Sequence, residues 1–471
     1  MGNKTQDFKT SELIDKGLLT INDGYRAKNS ELSAYGVPFA RAGNINNGFK
    51  FEGADCFPKE NIGKVGIKIS QPGDVVFTSK GTVGRFAFVR PNSARFVYSP
   101  QLCFWRSHDP DILDPRFLYY WMNGPDFMEQ AGAVKGQTDM ADYVSLRDQR
   151  EMRITLPTID EQRAIAHILG SLDDKIELNR RMNKTLEAMA QALFKSWFID
   201  FDPVIDNALA ASNAIPEELQ PSAALRESLG DASKPLPDDI HDLFPSEFEF
   251  TEEMGWIPKG WDIKSVEDAI AVNPRVQLKK NAVASYVDMK ALPTSGFSVM
   301  EIEKKPYSGG AKFNNGDVLL ARITPCLENG KTGIVDFLDG DEVGFGSTEF
   351  IVLRSKGAIC APYIACLSRY IGFRDHCIQS MVGSSGRQRV QNACFSNFYL
   401  ALPSALALLE RFDHLVSGNF DRITKHTKQT RVLTQFRDTL LPKLLSGEIR
   451  LQAGIPDVRA AGRSTLPDEA V

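Results

Sequence analysis

The chain has 471 residues, of which 42% are hydrophobic and 24% charged, and its formal net charge is −5. This length and composition predict several globular domains of ~100–200 residues and exclude a disordered or collagen-like protein. No run of ~18 apolar residues occurs, so no membrane-spanning helix is predicted. The seven cysteines form no CxxC pair, which argues against a metal cluster or disulfide framework and favours a reducing cytoplasm.

The first part of the chain, residues 1–157, has the pattern of a globular domain with mixed strands and helices. Short apolar runs broken by glycine, proline and asparagine, at 74–77 and 85–89, predict strands, and Pro115–Met122 predicts a short helix. Between them lie basic loops flanked by glycine, at 41–44, 79–85 and 135–138.

Residues 158–199 predict one long helix. Thr158 and Glu161 form a capping box before a periodic run. Apolar or polar seam residues then follow at alternating spacings of four and three, the heptad pattern of a coiled coil: Ile165, Leu169, Leu172, Ile176, Asn179, Asn183, Leu186, Ala190, Leu193 and Trp197. We expect Asn179 and Asn183, in the middle of this seam, to fix the helix register. Asp173 and Asp174 point about 100° apart on a helix, so a solvated face is favoured over a shared acid–base site.

Residues 200–255 form an acidic, proline-rich connection, predicted to be mostly extended. This segment holds 14 acidic and 2 basic residues, a local charge of −12. The remainder of the chain therefore has 53 basic and 46 acidic residues, or +7. A mildly basic body of this kind permits phosphate binding despite the negative total.

The second half repeats the order of the first. Gly316–Leu320 echoes Gly73–Phe77, and Leu-Pro at 402–403 echoes Leu-Pro at 156–157. Residues 256–403 thus predict a second globular domain, and 404–446 a second long helix. The seam of that helix is more polar than the first: Phe412, Val416, Asn419, Ile423, His426, Thr430, Leu433, Arg437, Leu440 and Leu444. The tail, 447–471, is predicted to be disordered.

No catalytic or metal-binding motif is present: the sequence has no GxGxxG after a strand, no P-loop and no HExxH. The candidate functional residues are instead those of the basic, glycine-flanked loops, because such side chains suit phosphates and base edges. In the first half they are Arg41, Asn44, Lys80, Arg85, Lys135, Gln137 and Thr138; in the second they are Arg322, Lys331, Ser385, Arg387 and Arg389. The pattern favours a bipartite reader of duplex DNA. A self-contained DNA methylase or nuclease with fused recognition domains, or a scaffold that binds protein rather than DNA, remain alternatives.

Several motifs resemble those of the specificity (S) subunits of type I restriction–modification systems. Those of the first helix are Leu156-Pro-Thr-Ile-Asp-Glu-Gln-Arg-Ala-Ile-Ala-His-Ile-Leu169, Asp173-Asp-Lys-Ile-Glu-Leu-Asn-Arg-Arg181 and Ala192-Leu-Phe-Lys-Ser-Trp-Phe198. The others are Gly255-Trp-Ile-Pro-Lys-Gly-Trp261 and, near the end, Leu440-Leu-Pro-Lys-Leu-Leu-Ser-Gly-Glu-Ile449. The second helix departs from the pattern, because no Glu-Gln follows Leu402-Pro403 and the capping box is lost.

The resemblance implies an α+β fold: two α/β target-recognition domains separated by two long helices that pair as an antiparallel coiled coil, in a pseudo-twofold internal duplication. It implies a non-catalytic DNA-specificity subunit that reads a bipartite, asymmetric site in double-stranded DNA. The implied partners are two modification (methyltransferase) subunits and a restriction subunit. No cofactor would bind to this chain itself, since S-adenosylmethionine, ATP and Mg²⁺ would be used by those partners.

Overall fold

The structure, a computed structural model, describes residues 5–46, 48–134, 142–229, 236–384 and 386–451. The chain divides into two units. Unit 1 comprises Met1–Lys175 and Leu433–Val471, and unit 2 comprises Ile176–Val432. Within the described ranges, no helix is both long and apolar enough to span a membrane.

The first 157 residues of unit 1 build two sheets flanked by helices. The larger sheet has the strand order β2-β8-β5-β6, the smaller has the order β4-β3-β7, and β1 pairs antiparallel with β9. The elements are β1 (Gln6–Lys9), α1 (Thr10–Asp15), β2 (Leu19–Asp23), β3 (Val37–Ala40), β4 (Cys56–Phe57), β5 (Val75–Thr78), β6 (Phe86–Phe88), β7 (Val97–Tyr98), β8 (Leu102–Ser107), α2 (Pro115–Asn123), α3 (Pro125–Val134), α4 (Leu146–Glu151) and β9 (Arg153–Leu156).

The interior of this part explains its local structure. Strand β5 is buried along its whole length, as expected for a central strand with apolar residues on both faces. Helix α2 starts where the sequence provides a cap: the Asp114 carboxylate accepts hydrogen bonds from the backbone N–H groups of Arg116 and Phe117, and Pro115 occupies the first turn. Its apolar face packs against Trp105 of β8.

The first long helix, α5 (Ile159–Phe198), is followed by more helix than the sequence predicted. The prediction of a mostly extended connection over 200–255 was wrong. That segment contains α6 (Asp202–Ala210), α7 (Gln220–Leu229) and α8 (Asp238–His241). Val204, Ile205 and Ala208 of α6 are fully buried. The acidic composition concealed this apolar face, and Pro203 lies in the first turn of α6, where proline is compatible with a helix.

Unit 2 repeats the architecture of unit 1. Its two larger sheets have the orders β13-β20-β17-β18 and β15-β14-β19-β16, while β10 pairs with β11 and β12 pairs with β21. The elements are β10 (Phe248–Thr251), β11 (Gly255–Pro258), β12 (Trp261–Ser265), α9 (Val266–Ala269), β13 (Ala271–Val272), β14 (Val283–Val287), β15 (Glu303–Pro306), β16 (Ala311–Phe313), β17 (Val318–Ala321), β18 (Thr332–Ile334), β19 (Gly344–Gly346), β20 (Phe350–Arg354), α10 (Ala361–Arg369), α11 (Ile371–Gln379), β21 (Tyr399–Pro403) and α12 (Leu406–Leu445).

The internal duplication is confirmed by strand order and by one interior ion pair. In the β2-β8-β5-β6 sheet of unit 1 and the β13-β20-β17-β18 sheet of unit 2, the last strand along the chain lies between the first strand and the central strand. In unit 1 the Arg106 guanidinium of β8 binds Asp74, with exposed side-chain fractions of 8% and 0%. At the same place in unit 2, Arg354 of β20 binds Asp317, with fractions of 29% and 1%.

The two long helices pair in an antiparallel direction within unit 2. Trp197 and Phe198, near the end of α5, contact Phe412, near the start of α12. Further along, Asn183 meets Thr427 and Asn179 meets Thr430, so the residue numbers rise on one helix as they fall on the other. The predicted seam is confirmed, because all twenty of its residues on the two helices are buried or half-buried.

The presence or absence of a capping box affects where each long helix begins. At the start of α5, the Thr158 hydroxyl accepts a hydrogen bond from the backbone N–H of Glu161 at 3.4 Å, as the predicted capping box requires. Helix α12 lacks this box and begins at Leu406, two residues after the predicted start at 404.

Candidate nucleic-acid interface

In unit 1, four of the predicted residues lie in two neighbouring loops at the end of strand β5: Arg41, Asn44, Lys80 and Arg85. The loop that follows β5 is held by backbone hydrogen bonds from Ser79 N–H to the Gln101 carbonyl at 3.1 Å and from Val144 N–H to the Ser79 carbonyl at 2.9 Å. Lys80 is exposed, forms a β-bridge with Tyr143, and its Nζ lies 5.9 Å from the centre of the Tyr143 ring.

A second loop of unit 1, the 3₁₀ turn Ala42–Ile45 after β3, lies beside the first. Arg85 Nη1 connects the two loops, because it donates to the Ala42 carbonyl at 3.5 Å. Asn44 uses its amide to shape its own loop: Oδ1 accepts from Arg41 N–H at 2.8 Å and Nδ2 donates to the Lys50 carbonyl at 2.8 Å. The Arg41 guanidinium is half exposed and binds Asp55 at 2.6 Å.

Unit 2 builds the same loop framework from different side chains. Arg322 N–H donates to the Glu349 carbonyl at 3.0 Å, and Val390 N–H donates to the Arg322 carbonyl at 2.9 Å. Lys331, which precedes β18 as Arg85 precedes β6, donates from Nζ to the carbonyl of Met289 at 2.8 Å. Met289 begins the 3₁₀ turn after β14, the counterpart of the turn after β3.

The arginines of the second framework differ in their freedom to bind a ligand. The Arg322 guanidinium turns inward and donates from Nη2 to the Val390 carbonyl at 2.9 Å. Arg389 makes a two-pronged pair with Glu349, with distances of 2.9 Å from Nε and 2.6 Å from Nη2. This hydrogen bond lowers the pKa of Glu349. Arg387 is exposed. The predicted residues Lys135, Gln137, Thr138 and Ser385 lie outside the described residues.

Sequence reasoning missed a basic, aromatic face on the β15-β14-β19-β16 sheet of unit 2. Lys305 Nζ lies 4.4 Å from the centre of the Tyr286 ring, and Lys312 Nζ lies 5.7 Å from that of Tyr307. Both tyrosine rings contact Phe345. The lysine doublets at 279–280 and 304–305, each within seven residues of a tyrosine, were the available signal. Lysines over aromatic rings suit a polyanion with stacked bases.

The polar residues predicted to fix the helix register contact the opposite helix within unit 2. Asn179 Nδ2 donates to Gln429 Oε1 at 2.9 Å, and Asn183 Oδ1 lies 2.9 Å from His426 Nδ1. The described residues contain no cluster of three or more His, Cys, Asp or Glu side chains that could hold a metal ion.

Comparison with known proteins shows which proteins this chain resembles. Residues 6–188 match the family model of the type I restriction modification DNA specificity domain. Over 458 residues the chain is 25% identical to the specificity subunit of type I restriction enzyme HindI from Haemophilus influenzae, covering 89% of this chain and 96% of that one. The chain is thus similar to type I specificity subunits over most of its length. The resemblance drawn from the motifs is therefore confirmed.

A second relative and one solved structure extend this result. The specificity subunit of type I restriction enzyme MjaIX from Methanocaldococcus jannaschii is 24% identical over 398 residues, which cover 82% of this chain and 80% of that one. The crystal structure of an S subunit from M. genitalium has a TM-score of 0.51 at 14% identity, covering 94% of this chain and 96% of that one. The predicted α+β fold class of type I specificity subunits is thus confirmed, whereas the predicted domain boundaries and the roles of the loop residues remain predictions.

Proposed function

We propose that this chain is the DNA sequence-specificity subunit of a type I restriction–modification complex. Each of its two recognition domains would read one half of a bipartite, asymmetric site in double-stranded DNA. The observation that carries the proposal is the loop framework that occurs twice, with the same backbone hydrogen bonds at the same end of the central strand. A duplicated framework with different side chains suits a protein that reads two different half-sites.

This chain has no catalytic motif, and in the proposed complex the partner subunits supply the catalytic chemistry. Two modification subunits would bind the chain and bring S-adenosylmethionine and the methyl-transfer site. A restriction subunit, with ATP and Mg²⁺, would join the larger assembly. The chain itself would act as a non-catalytic scaffold and reader, and its similarity to specificity subunits over most of its length supports this role.

Mapping of methylated adenines tests the proposal directly. In cells that carry this chain together with a modification subunit, we expect methylation within one bipartite motif, and none when either gene is removed. The purified chain with S-adenosylmethionine should neither methylate DNA nor crosslink to the cofactor. Methyl transfer by the purified chain alone would instead support a self-contained methylase.

Alanine substitutions test the loops that we assign to DNA. We expect Lys80, Arg85 and Lys135 to serve one half-site and Arg322, Arg387 and Arg389 the other. Loss of a base contact should cost ~1–3 kcal/mol and relax one position of one half-site, whereas loss of a phosphate contact should weaken binding evenly and lower the salt slope by about one unit. Wild-type affinity and salt slope in all six variants would contradict the assignment.

A substitution at Glu349 tests the role of Arg389 in the opposite direction from a substitution of Arg389 itself. Because Glu349 holds the Arg389 guanidinium, Glu349→Gln should release one cation and steepen the salt dependence, while Arg389→Ala should reduce it. Lys259→Ala, which removes an exposed lysine of the β10–β11 hairpin paired with Glu247, is the control. An affinity for DNA that does not depend on salt in any of these proteins would favour the alternative of a protein-binding scaffold.

A further inference from the structure

Two adjacent carboxylates on α5 hold four donors within unit 1. Asp174 Oδ1 accepts from Arg116 Nη2 of α2 at 2.8 Å and from Arg90 Nη1, two residues after β6, at 2.5 Å. Asp173 accepts from Tyr120 Oη of α2 at 2.7 Å and from Arg437 Nη1 of α12 at 2.8 Å. The Asp173–Asp174 hub, as we call these six residues, therefore joins the recognition domain to segments of both long helices. The sequence-based expectation of a solvated face was wrong for Asp173, which is half-buried, whereas Asp174 is exposed.

A glycine brings the guanidinium of Arg116 against the helix. Arg116 Nη2 also donates to the Gly170 carbonyl at 2.9 Å. A Cβ placed on Gly170 would lie 2.5 Å from Arg116 Cζ, so any larger residue would displace the guanidinium. Alanine is nevertheless the better helix former, and the glycine at this position is thus explained by the packing of Arg116.

The hub is partly shielded from water, which strengthens its charge pairing. The exposed side-chain fractions are 14% for Asp173 and 29% for Arg437, while Asp174 is more open at 46%. Burial opposes ionisation of Asp174, but the hydrogen bonds from Arg116 and Arg90 hold its pKa below the ordinary value. Burial and the charge of Asp173 raise the pKa of Tyr120, so that tyrosine remains a hydrogen-bond donor.

Unit 2 lacks both arginines at the corresponding positions. The second residue of α10 is Pro362, where α2 has Arg116, and the residue two positions after β18 is Asp336, where β6 is followed by Arg90. On α12, Ser417 and Asp421 occupy the twelfth and sixteenth helix positions, as Gly170 and Asp174 do on α5.

A cavity of about 170 Å³ occupies this place in unit 2 and is lined by Asp336, Pro362, Ser417 and Asp421, among others. Asp336 Oδ2 accepts from the Thr424 hydroxyl at 2.7 Å, while Oδ1 is buried without a hydrogen-bond partner among the described residues. The second recognition domain is thus joined to its helices without an equivalent of the hub.

We propose that Asp173 and Asp174 are positioning residues that fix the orientation of the first recognition domain on the helix pair and so set the spacer between the half-sites. The inference rests on the proposed function. The hub acts through Arg90, Arg116 and Tyr120, which belong to the recognition domain, and through Arg437, which belongs to α12. Weakening the hub should leave the bases read by the first domain unchanged and broaden the range of spacers accepted.

Gly170→Ala and Asp174→Asn test this inference in the full chain assembled with modification subunits. Methylation rates are measured on duplexes that carry both half-sites with spacers one and two base pairs shorter or longer than the best. The wild-type protein should prefer one spacer. In both variants, the ratio of the methylation rate at the best spacer to the rates at the other spacers should fall about fivefold or more, which is the lower end of ordinary coupling factors. Thermal unfolding of each variant accompanies the rates.

Matched substitutions in the second copy provide the control. Ser417→Ala and Asp421→Asn change the same helix positions where no guanidinium is bound, and they should keep the wild-type spacer profile. A Gly170→Ala or Asp174→Asn protein with the wild-type spacer profile would overturn the positioning role. An equal fall at every spacer together with a lower melting temperature would also overturn it, because it would show a purely structural role. Absence of methylation by the wild-type assembly would contradict the proposed function itself.

Discussion

Asp74 and Arg106 illustrate how the two copies differ at single residues. Tyr98 Oη donates to Asp74 Oδ2 at 2.5 Å, and Arg106 donates to both carboxylate oxygens of Asp74 at 2.6 and 2.8 Å. All hydrogen-bonding groups of the buried carboxylate are thus engaged, which is the condition under which a buried ion pair is tolerated. The equivalent Arg354 is more exposed and makes the same two-pronged contact.

We predict that Arg106→Leu costs about 3–5 kcal/mol of unfolding free energy, because it leaves Asp74 buried without its cation. Arg354→Leu should cost less, since water reaches Asp317 more easily once the half-exposed arginine is removed. Urea unfolding, followed through hydrogen exchange in the β2-β8-β5-β6 and β13-β20-β17-β18 sheets, measures both. Equal costs at the two sites would contradict the argument from burial.

Glu342 should make the stability of unit 2 dependent on acidity. Burial alone would raise its pKa, but hydrogen bonds from Lys304 Nζ at 2.6 Å and Ser285 N–H at 2.9 Å lower the pKa to about 2. An unfolded glutamate titrates near ~4.3. The folded value is lower, so the stabilisation is complete above ~4.3 and is lost as the pH falls through about 2.

Glu342→Gln should therefore destabilise the protein at pH 7 and have progressively less effect as the pH is lowered from ~4.3 toward about 2. Melting temperatures at a series of pH values test this, with the exposed Glu252→Gln as the control. A cost that does not change with pH would mean that the carboxylate charge of Glu342 contributes nothing.

At the scale of elements, the polar middle of the helix seam carries a prediction about register. Buried polar pairs in a coiled coil specify one alignment at some cost in stability. Replacing both Asn179 and Asn183 by leucine should keep or raise the melting temperature while admitting more than one register. Distances between labels on unnatural amino acids in the two helices would report the register, with Arg180→Leu, at an exposed position, as the control. A large loss of stability with an unchanged register would count against this role.

The helices were predictable because their signals are local and repeated. The heptad spacing, the capping box at Thr158 and the Leu-Pro pairs lie within the sequence itself. The strand order was not predictable, because the pairing of β2 with β8 depends on contacts between residues 80 to 88 positions apart. Helix α6 was missed because its apolar face lies within an acidic segment.

The site could be predicted in outline from the basic loops, but not in its detail. The sequence indicated Arg85 and Lys331 as candidates, and the structure shows each bound to a 3₁₀ turn, after β3 and after β14 respectively. It could not show that Arg322 turns inward or that Arg389 is paired with Glu349. The Asp173–Asp174 hub was missed because its four donors come from distant parts of the sequence.

For the whole molecule, helix length should determine the spacer between the half-sites under the proposed function. Strand β9 ends at Leu156 and α5 begins at Ile159, while β21 ends at Pro403 and α12 begins at Leu406. Each recognition domain is therefore joined to a helix by a very short connection. Each helix has 40 residues, which corresponds to ~60 Å.

Inserting one heptad into each helix should lengthen the pair by ~10 Å while preserving the seam. The best spacer should then grow by roughly three base pairs at ~3.4 Å each. The second half-site should rotate by about 100°, because DNA turns once in ~10 base pairs. Methylome sequencing should show a longer spacer between unchanged half-sites. Full activity with the original spacer would show that the helices do not set the distance.

The pairing of the strands at the entry and exit of each recognition domain has an evolutionary consequence. Gln6 lies opposite Leu156 in the β1–β9 pair, and Trp261 lies opposite Pro403 in the β12–β21 pair. Each recognition domain therefore begins and ends at neighbouring points of the backbone. Two crossovers in the gene, one at each of these strands, could exchange a whole domain for that of a related gene while leaving the helices intact. Under the proposed function, a new target sequence could in this way be acquired by recombination, one half-site at a time.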